Sequence, residues 1–242
     1  MHNRTAAQQC GSGTARRHGR MIVGSHMRTL SVVSQKGGSG RTTLSLHLAT
    51  AAERAGLMAA VVDLDPQASA WKWSQRRKGA PPEVITAVAD QLPEIKARAA
   101  QGLDLLVIDS APHADRAALT ACKMADHILI PTRASILDLD ALTPVLDLVE
   151  MSRKPATALL NGVSTQTTVD VEEARDAIGA RGIALYPAYI HERVAYKRAL
   201  ISGQTVLETG ADPKATREIE ALYAWVCSTL GIEIKTDVAA VA

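Results

Sequence analysis

The decapeptide Ser34-Gln35-Lys36-Gly37-Gly38-Ser39-Gly40-Arg41-Thr42-Thr43 gathers three glycines, two cations and two threonines. Three glycines in four positions let backbone N–H groups turn inward around a polyanion. A helix opening near Thr42 would add the positive end of its dipole to the same point. Lys36 and Arg41 supply charge, and Thr42 supplies a hydroxyl ligand for magnesium. The chemistry this suits is the holding of nucleotide phosphates. The spacing departs from G-x-x-x-x-G-K-[ST], since Gln35 stands at the first glycine and Arg41 at the lysine. What remains, K-G-G-x-G-[KR]-T-T, is the narrower pattern.

Three carboxylates follow apolar runs: Asp63 and Asp65 in Val61-Val62-Asp63-Leu64-Asp65-Pro66-Gln67, and Asp109 in Leu105-Leu106-Val107-Ile108-Asp109. Nucleotide-bound Mg²⁺ keeps several waters and takes carboxylates close by. Any one of these residues alone could equally cap a helix. Together with the glycine loop they point to a magnesium nucleotide.

The loop resembles the deviant Walker A motif of the ParA/MinD family of P-loop ATPases, whose defining lysine sits early, here at Lys36. The resemblance implies ATP and Mg²⁺ as cofactors and a homodimer closed around the nucleotide, with Lys36 reaching the partner's phosphates. It implies phosphate contacts from Lys36, Gly37, Gly38, Ser39, Gly40, Arg41, Thr42 and Thr43, and magnesium held by Thr42, Asp63 and Asp109, the last in the Walker B position. The D-x-D-P-Q segment matches switch I of ParA proteins, which sets Asp65 beside the attacking water; Lys36, Asp65 and Arg41 are then the catalytic set. Arg41 is the departure, a forked guanidinium where relatives carry a compact ammonium. Nucleotide binding with slow turnover is the expectation. Ile130-Pro131-Thr132 followed by Asp138 resembles the family segment that relays switch II to the dimer surface. Asn161, in Leu160-Asn161-Gly162, falls where the family contacts adenine, although Asn-Gly is as readily a turn.

Arg193, Lys197 and Arg198 can share a helix face. By resemblance they bind double-stranded DNA without sequence preference; on spacing alone a solvated face is the alternative. A second basic cluster, Arg76-Arg77-Lys78, follows Trp71-Lys72-Trp73, whose tryptophans suit anchoring better than base stacking.

These residues need a scaffold that brings loops together. From Arg28 onward short apolar runs alternate with helical patterns, which predicts an α/β fold: a doubly wound, mostly parallel sheet with helices on both faces. Strands are expected at 29–34, 58–63, 84–88, 103–109, 127–130, 156–160 and 183–186. Helices are expected at 42–55, 92–100, 114–124, 139–151, 169–179, 192–201 and 213–230. In such sheets ligands bind beyond the carboxyl ends of the strands, where each of the three aspartates falls.

The chain's 242 residues, 47% hydrophobic and without a phenylalanine, suit one aliphatic core. The expected organisation is an extension outside the fold over 1–26, the ATPase domain over 27–230 and a tail over 231–242, with Met27 as the working start. The interval from Met27 to Lys36 leaves no room for the N-terminal helix-turn-helix domain of larger ParA proteins. A net charge of +2 allows a local basic patch but no general nucleic-acid coat. Cys10, Cys122 and Cys227 show no metal or disulfide spacing, and no run is long enough to span a membrane. The expectation is a cytoplasmic, nucleoid-associated partition ATPase that segregates plasmid or chromosomal cargo with a ParB-like adaptor. A nucleotide-gated switch with weak hydrolysis, or a MinD-like or conjugation-associated positioning ATPase, is the alternative. The MinD route is disfavoured because the tail lacks a basic amphipathic helix.

Overall fold

A computed structural model describes residues 26–112, 116–135, 138, 140–165 and 169–233. The expectations for 1–25 and 234–242 lie outside the described residues. In chain order the elements are β1 (Arg28–Val32), α1 (Arg41–Arg54), β2 (Ala59–Asp63), α2 (Ser69–Gln75), β3 (Glu83–Thr86), α3 (Leu92–Ala99), β4 (Leu105–Asp109), α4 (Arg116–Met124), β5 (His127–Thr132), α5 (Thr143–Ser152), β6 (Ala156–Val163), α6 (Val169–Ala180), β7 (Ala184–Leu185), β8 (Ile190–His191), α7 (Val194–Ile201), α8 (Val206–Thr209) and α9 (Pro213–Leu230).

The strands run in the order β3-β2-β4-β1-β5-β6-β7, with β8 also paired to β6, and every pairing is parallel. The doubly wound parallel sheet expected from the sequence is therefore the fold. All seven expected strands form. The pair Ile190–His191 adds an eighth, and α2 and α8 add two short helices that the apolar pattern did not signal.

Alternation along the strands sorts side chains between two layers. Leu30 and Val32 of β1, Val61 of β2, Val107 of β4 and Leu129 of β5 join α1, α7, α8 and α9 in one core. Ile128 and Ile130 pack with α4, α5 and α6, while Val62, Leu106 and Ile108 pack around Leu92 of α3. Burying each such side chain is worth about 1.5–3 kcal/mol. The central strands are hidden on both faces, which is why they read as continuous apolar runs. Every residue of α1 from 44 to 52 is also buried, so the helix that follows the glycine loop has no solvent face over those turns.

Candidate nucleotide-binding site

Strand register assembles the site. Val32 of β1 pairs with Asp109 of β4, and Asp109 pairs with Asp63 of β2. The segments leaving these three strands are thus neighbours at one edge of the sheet, stitched by Ser110 N donating to Val32 O at 3.2 Å and Leu64 N to Asp109 O at 3.0 Å.

The loop enters α1 through Gly40, whose φ of 95° is left-handed. A side chain there would also collide, since a Cβ would lie 2.1 Å from Asn161 Nδ2. No side chain caps α1 and no acid occupies its first turn. By contrast, α9 is capped by Asp212, which accepts from Lys214 N and Ala215 N. An uncapped helix start behind a glycine loop leaves N–H donors for an anion.

Arg41 lies within this cradle and is only 7% exposed. Its Nε donates to Ser110 O at 3.0 Å, and its Nη1 donates to Ser34 O at 3.2 Å, Lys36 O at 2.7 Å and the Ser34 hydroxyl. Burial lowers its pKa while Asp109 and Asp65 oppose that. The fork therefore binds the two sides of the loop to the end of β4, a set of bonds that a lysine's point charge could not make at once.

Lys36 behaves differently. Its side chain is 42% exposed at the mouth of the loop, and its Nζ pairs with Asp138 at 3.1 Å. Asp138, noted in the sequence only as part of a relay segment, is thus the signature lysine's partner within the chain.

The carboxylates divide by environment. Asp63 accepts from Asp65 N and Trp71 N, each at 3.1 Å, and so fixes the segment leading into α2. Its capping role, one of the two sequence readings, is realised, and lone pairs remain on both oxygens. Asp65 is partly exposed and accepts from Gln67 N at 2.8 Å. Asp109 is fully buried, and neither oxygen makes a hydrogen bond of good geometry. Burial pushes its pKa up to about 7; the nearby Thr42 hydroxyl favours the charged form without being aligned to satisfy it, and Asp63 opposes it. A buried carboxylate without a donor, close to a hydroxyl, is a donor set that a hard cation fits. Among the described residues no group of three or more His, Cys, Asp or Glu could hold a metal alone, as suits an ion that takes its other ligands from phosphates and water.

Asn161 corrects one alternative. It lies in β6, not in a free turn, and its Nδ2 donates to Ser39 O at 2.6 Å. Arg133 adds a contact that the sequence reading missed, its Nη2 donating to Gly38 O at 3.3 Å.

The structure separates the basic residues. Arg193 is tied inward: its Nη2 and Nε reach Glu218 Oε1 at 2.6 and 3.1 Å, and its side chain is 14% exposed. Burial works against the Glu218 charge, but donors from Arg193, His191 and Tyr196 outweigh it and hold its pKa below the usual carboxylate range. Arg193 is therefore withdrawn as a phosphate contact; a guanidinium already bound to a carboxylate has little left to offer. Lys197 is 78% exposed with only a loose pairing to Glu192 at 3.7 Å, and Arg198 is also exposed. The Arg76-Arg77 cluster also turns inward. Arg77 pairs with Glu208 at 2.8 Å and stacks on Trp73, and Arg76 donates to Leu200 O. The anchoring expected of the tryptophans holds for buried Trp73 but not for Trp71, which is 41% exposed.

His47, another residue the sequence reading passed over, is buried in α1. Its Nδ1 donates to Thr43 O at 2.6 Å, and its Nε2 accepts from Val206 N at 3.2 Å. It joins the turn after the phosphate loop to α8.

The profile of the CobQ/CobB/MinD/ParA nucleotide-binding domain matches residues 30–206. The chain belongs to this ParA/MinD family. Among its relatives, maintenance of carboxysome distribution protein A of Gloeobacter kilaueensis is 32% identical over 213 residues, covering 85% of this chain and 95% of that one. Protein ParA of Rhizobium radiobacter is 31% identical over 192 residues, covering 75% and 77%. The ATP complex of a Cyanothece McdA variant superposes with a TM-score of 0.72 at 19% identity, covering 88% of this chain and all of that one. That likeness supports the fold. Membership of this family of nucleotide-binding ATPases agrees with the loop, the strand-end aspartates and the sheet order.

Proposed function

We propose that this chain is an ATP- and Mg²⁺-dependent ATPase that dimerises on nucleotide, binds DNA without sequence preference as a dimer, and distributes an intracellular cargo through a ParB-like adaptor. The carrying observation is Lys36. It stands at the rim of an uncapped phosphate cradle, half exposed, where it can leave Asp138 for a second copy.

In this reading the loop's N–H groups and the start of α1 hold the phosphates. Thr42 and Asp109 would hold magnesium, with Asp63 supporting that shell. Bound there, the ion neutralises phosphate charge during transfer. Asp65 orients the attacking water, and Arg41 and the partner copy's lysine at position 36 supply the remaining positive charge. Positioning and charge carry most of phosphoryl transfer, so few other groups are needed. Because Arg41 is anchored to loop carbonyls, turnover without an adaptor is slow.

Lys197 and Arg198 on α7 supply the DNA-binding charge. The cargo is a plasmid or chromosome, as the ParA relatives' names suggest, or a microcompartment, as the carboxysome-distribution relatives' names suggest. Both use one cycle and differ in the adaptor. The proposed place of action is the cytoplasm, on the nucleoid; no helix among the described residues is long and apolar enough to cross a membrane.

Light scattering on the Asp65→Ala protein tests the reading, because the substitution blocks turnover. A dimer with saturating ATP and Mg²⁺, and a monomer with ADP, is expected. A monomer under both conditions would reject the proposed cycle.

A further inference from the structure

Where a loop wraps an anion with its N–H groups, its carbonyls are left to face elsewhere and need donors of their own. Peptide planarity couples the two demands, because fixing the carbonyl of one residue fixes the next N–H on the opposite side of the same plane. Two side chains remote in sequence supply such donors here. Asn161 Nδ2 on Ser39 O, at 2.6 Å, sets the peptide that carries the Gly40 N–H. Arg133 Nη2 on Gly38 O, at 3.3 Å, sets the peptide that carries the Ser39 N–H. The two donors adjoin each other, since a Cβ on Gly162 would lie 3.9 Å from Arg133 Nε. The amide of Asn161 also sits so close to Gly40 that nothing larger than hydrogen fits between them.

We propose that Asn161 and Arg133 form an outer clasp that positions the phosphate loop, so that Asn161 acts on the phosphates through the backbone and does not read the base. The inference rests on the nucleotide-binding reading above and deepens it. Both are positioning residues. Neither has to touch the ligand, and the loss of either acts alike on every ligand that carries the same phosphates.

The test is calorimetric titration of wild type, Asn161→Ala, Asn161→Asp and Arg133→Ala with the magnesium complexes of ATP, GTP and inorganic tripolyphosphate. Hydrogen–deuterium exchange of residues 34–43 and 105–109 is followed in parallel. Removing one net hydrogen bond predicts that Asn161→Ala weakens all three ligands by the same factor, about 3- to 10-fold. Asn161→Asp loses at least as much, because a carboxylate cannot donate and would face a carbonyl. The longer Arg133 bond predicts a smaller loss, about 2- to 4-fold. Exchange in 34–43 rises several-fold in each variant while 105–109 stays protected, which a general loss of stability would not produce. A loss confined to ATP, with GTP and tripolyphosphate unchanged, would assign Asn161 to the base and overturn the clasp. So would unchanged exchange in the loop. If wild type binds none of the three, the nucleotide reading fails instead, and the exchange data still decide whether the clasp exists. Arg133 is an exposed side chain, so its variant carries the test even if an Asn161 variant does not fold.

Discussion

Lys36 and Asp138 meet at 3.1 Å across the mouth of the phosphate loop, so the cation proposed to serve a second copy is held by its own chain. Closing the dimer then requires exchanging one anion for another. With Lys36 42% exposed, the internal pair is worth about 0–1 kcal/mol. Asp138→Asn, which keeps the shape and removes the charge, should tighten the ATP-dependent dimer by up to about fivefold at low salt. The gain should shrink as salt screens the pair. Sedimentation velocity at two ionic strengths measures both, and a weakened dimer would mean that Asp138 acts in the closed state.

Asp109 has no aligned donor and no exposure. Burying its charge opposes folding until a cation arrives. Asp109→Asn should therefore stabilise the metal- and nucleotide-free protein by about 1–3 kcal/mol at pH 8. It should also abolish the further stabilisation that Mg²⁺ with ATP gives the wild type. Thermal melts with and without ligand read both effects; a destabilised free protein would show that the wild-type carboxylate is better satisfied than its contacts indicate.

His47 sets an acid limit. Burial holds its pKa down to about 4, against the opposing bond to Thr43, so the fold keeps the ring neutral while the unfolded chain protonates near pH 6.5. Its contribution is complete above pH 6.5 and is lost as pH falls toward 4, by about 3 kcal/mol. Asp109, raised to about 7, runs the other way, because its folded form gains stability on protonation. The comparison of wild type with His47→Gln cancels that opposing slope. Urea unfolding at pH 7.5 and 5 should show the wild type's advantage over the variant shrinking at the lower pH; an advantage that held constant would place the histidine in a more polar setting.

The basic residues of α7 should respond in two distinct ways. Arg193→Ala leaves Glu218 without its main donor and should cost about 1–3 kcal/mol of stability. Its effect on the salt dependence of DNA binding should be small. Lys197→Ala and Arg198→Ala should leave stability within about 0.5 kcal/mol and each lower the log–log salt slope by about 1. Filter binding across salt concentrations, paired with urea melts, distinguishes the classes. A salt slope unmoved by both exposed substitutions would take DNA contact away from this helix.

What the sequence disclosed was local. The glycine loop and the aspartates after Val62 and Ile108 could be read directly, because backbone freedom, charge and strand ends are encoded within a few neighbouring residues. The buried strands were legible because a parallel sheet covered on both faces leaves little room for polar side chains. Arg193 was misjudged because its partner Glu218 lies 25 residues further on, and spacing along α7 says nothing about what α9 brings to it. Asn161 met Ser39 across 122 positions; the chain order showed a possible turn or base contact but not a donor aimed at the loop. Short elements such as α8 and β8 escaped because two to four residues carry no periodicity, and packing against larger neighbours decides their shape.

The burial of α1 on all sides between residues 44 and 52 sets a limit on movement. A rod wedged between sheet and outer helices can neither tilt nor slide without opening the interior. Events at the phosphates are therefore left to the rim, where the chain after β2 and the Lys36 side chain have solvent beside them. The centre serves as an anvil. It follows that cargo and adaptor preferences can be rewritten by altering peripheral segments alone, with the nucleotide machinery left untouched.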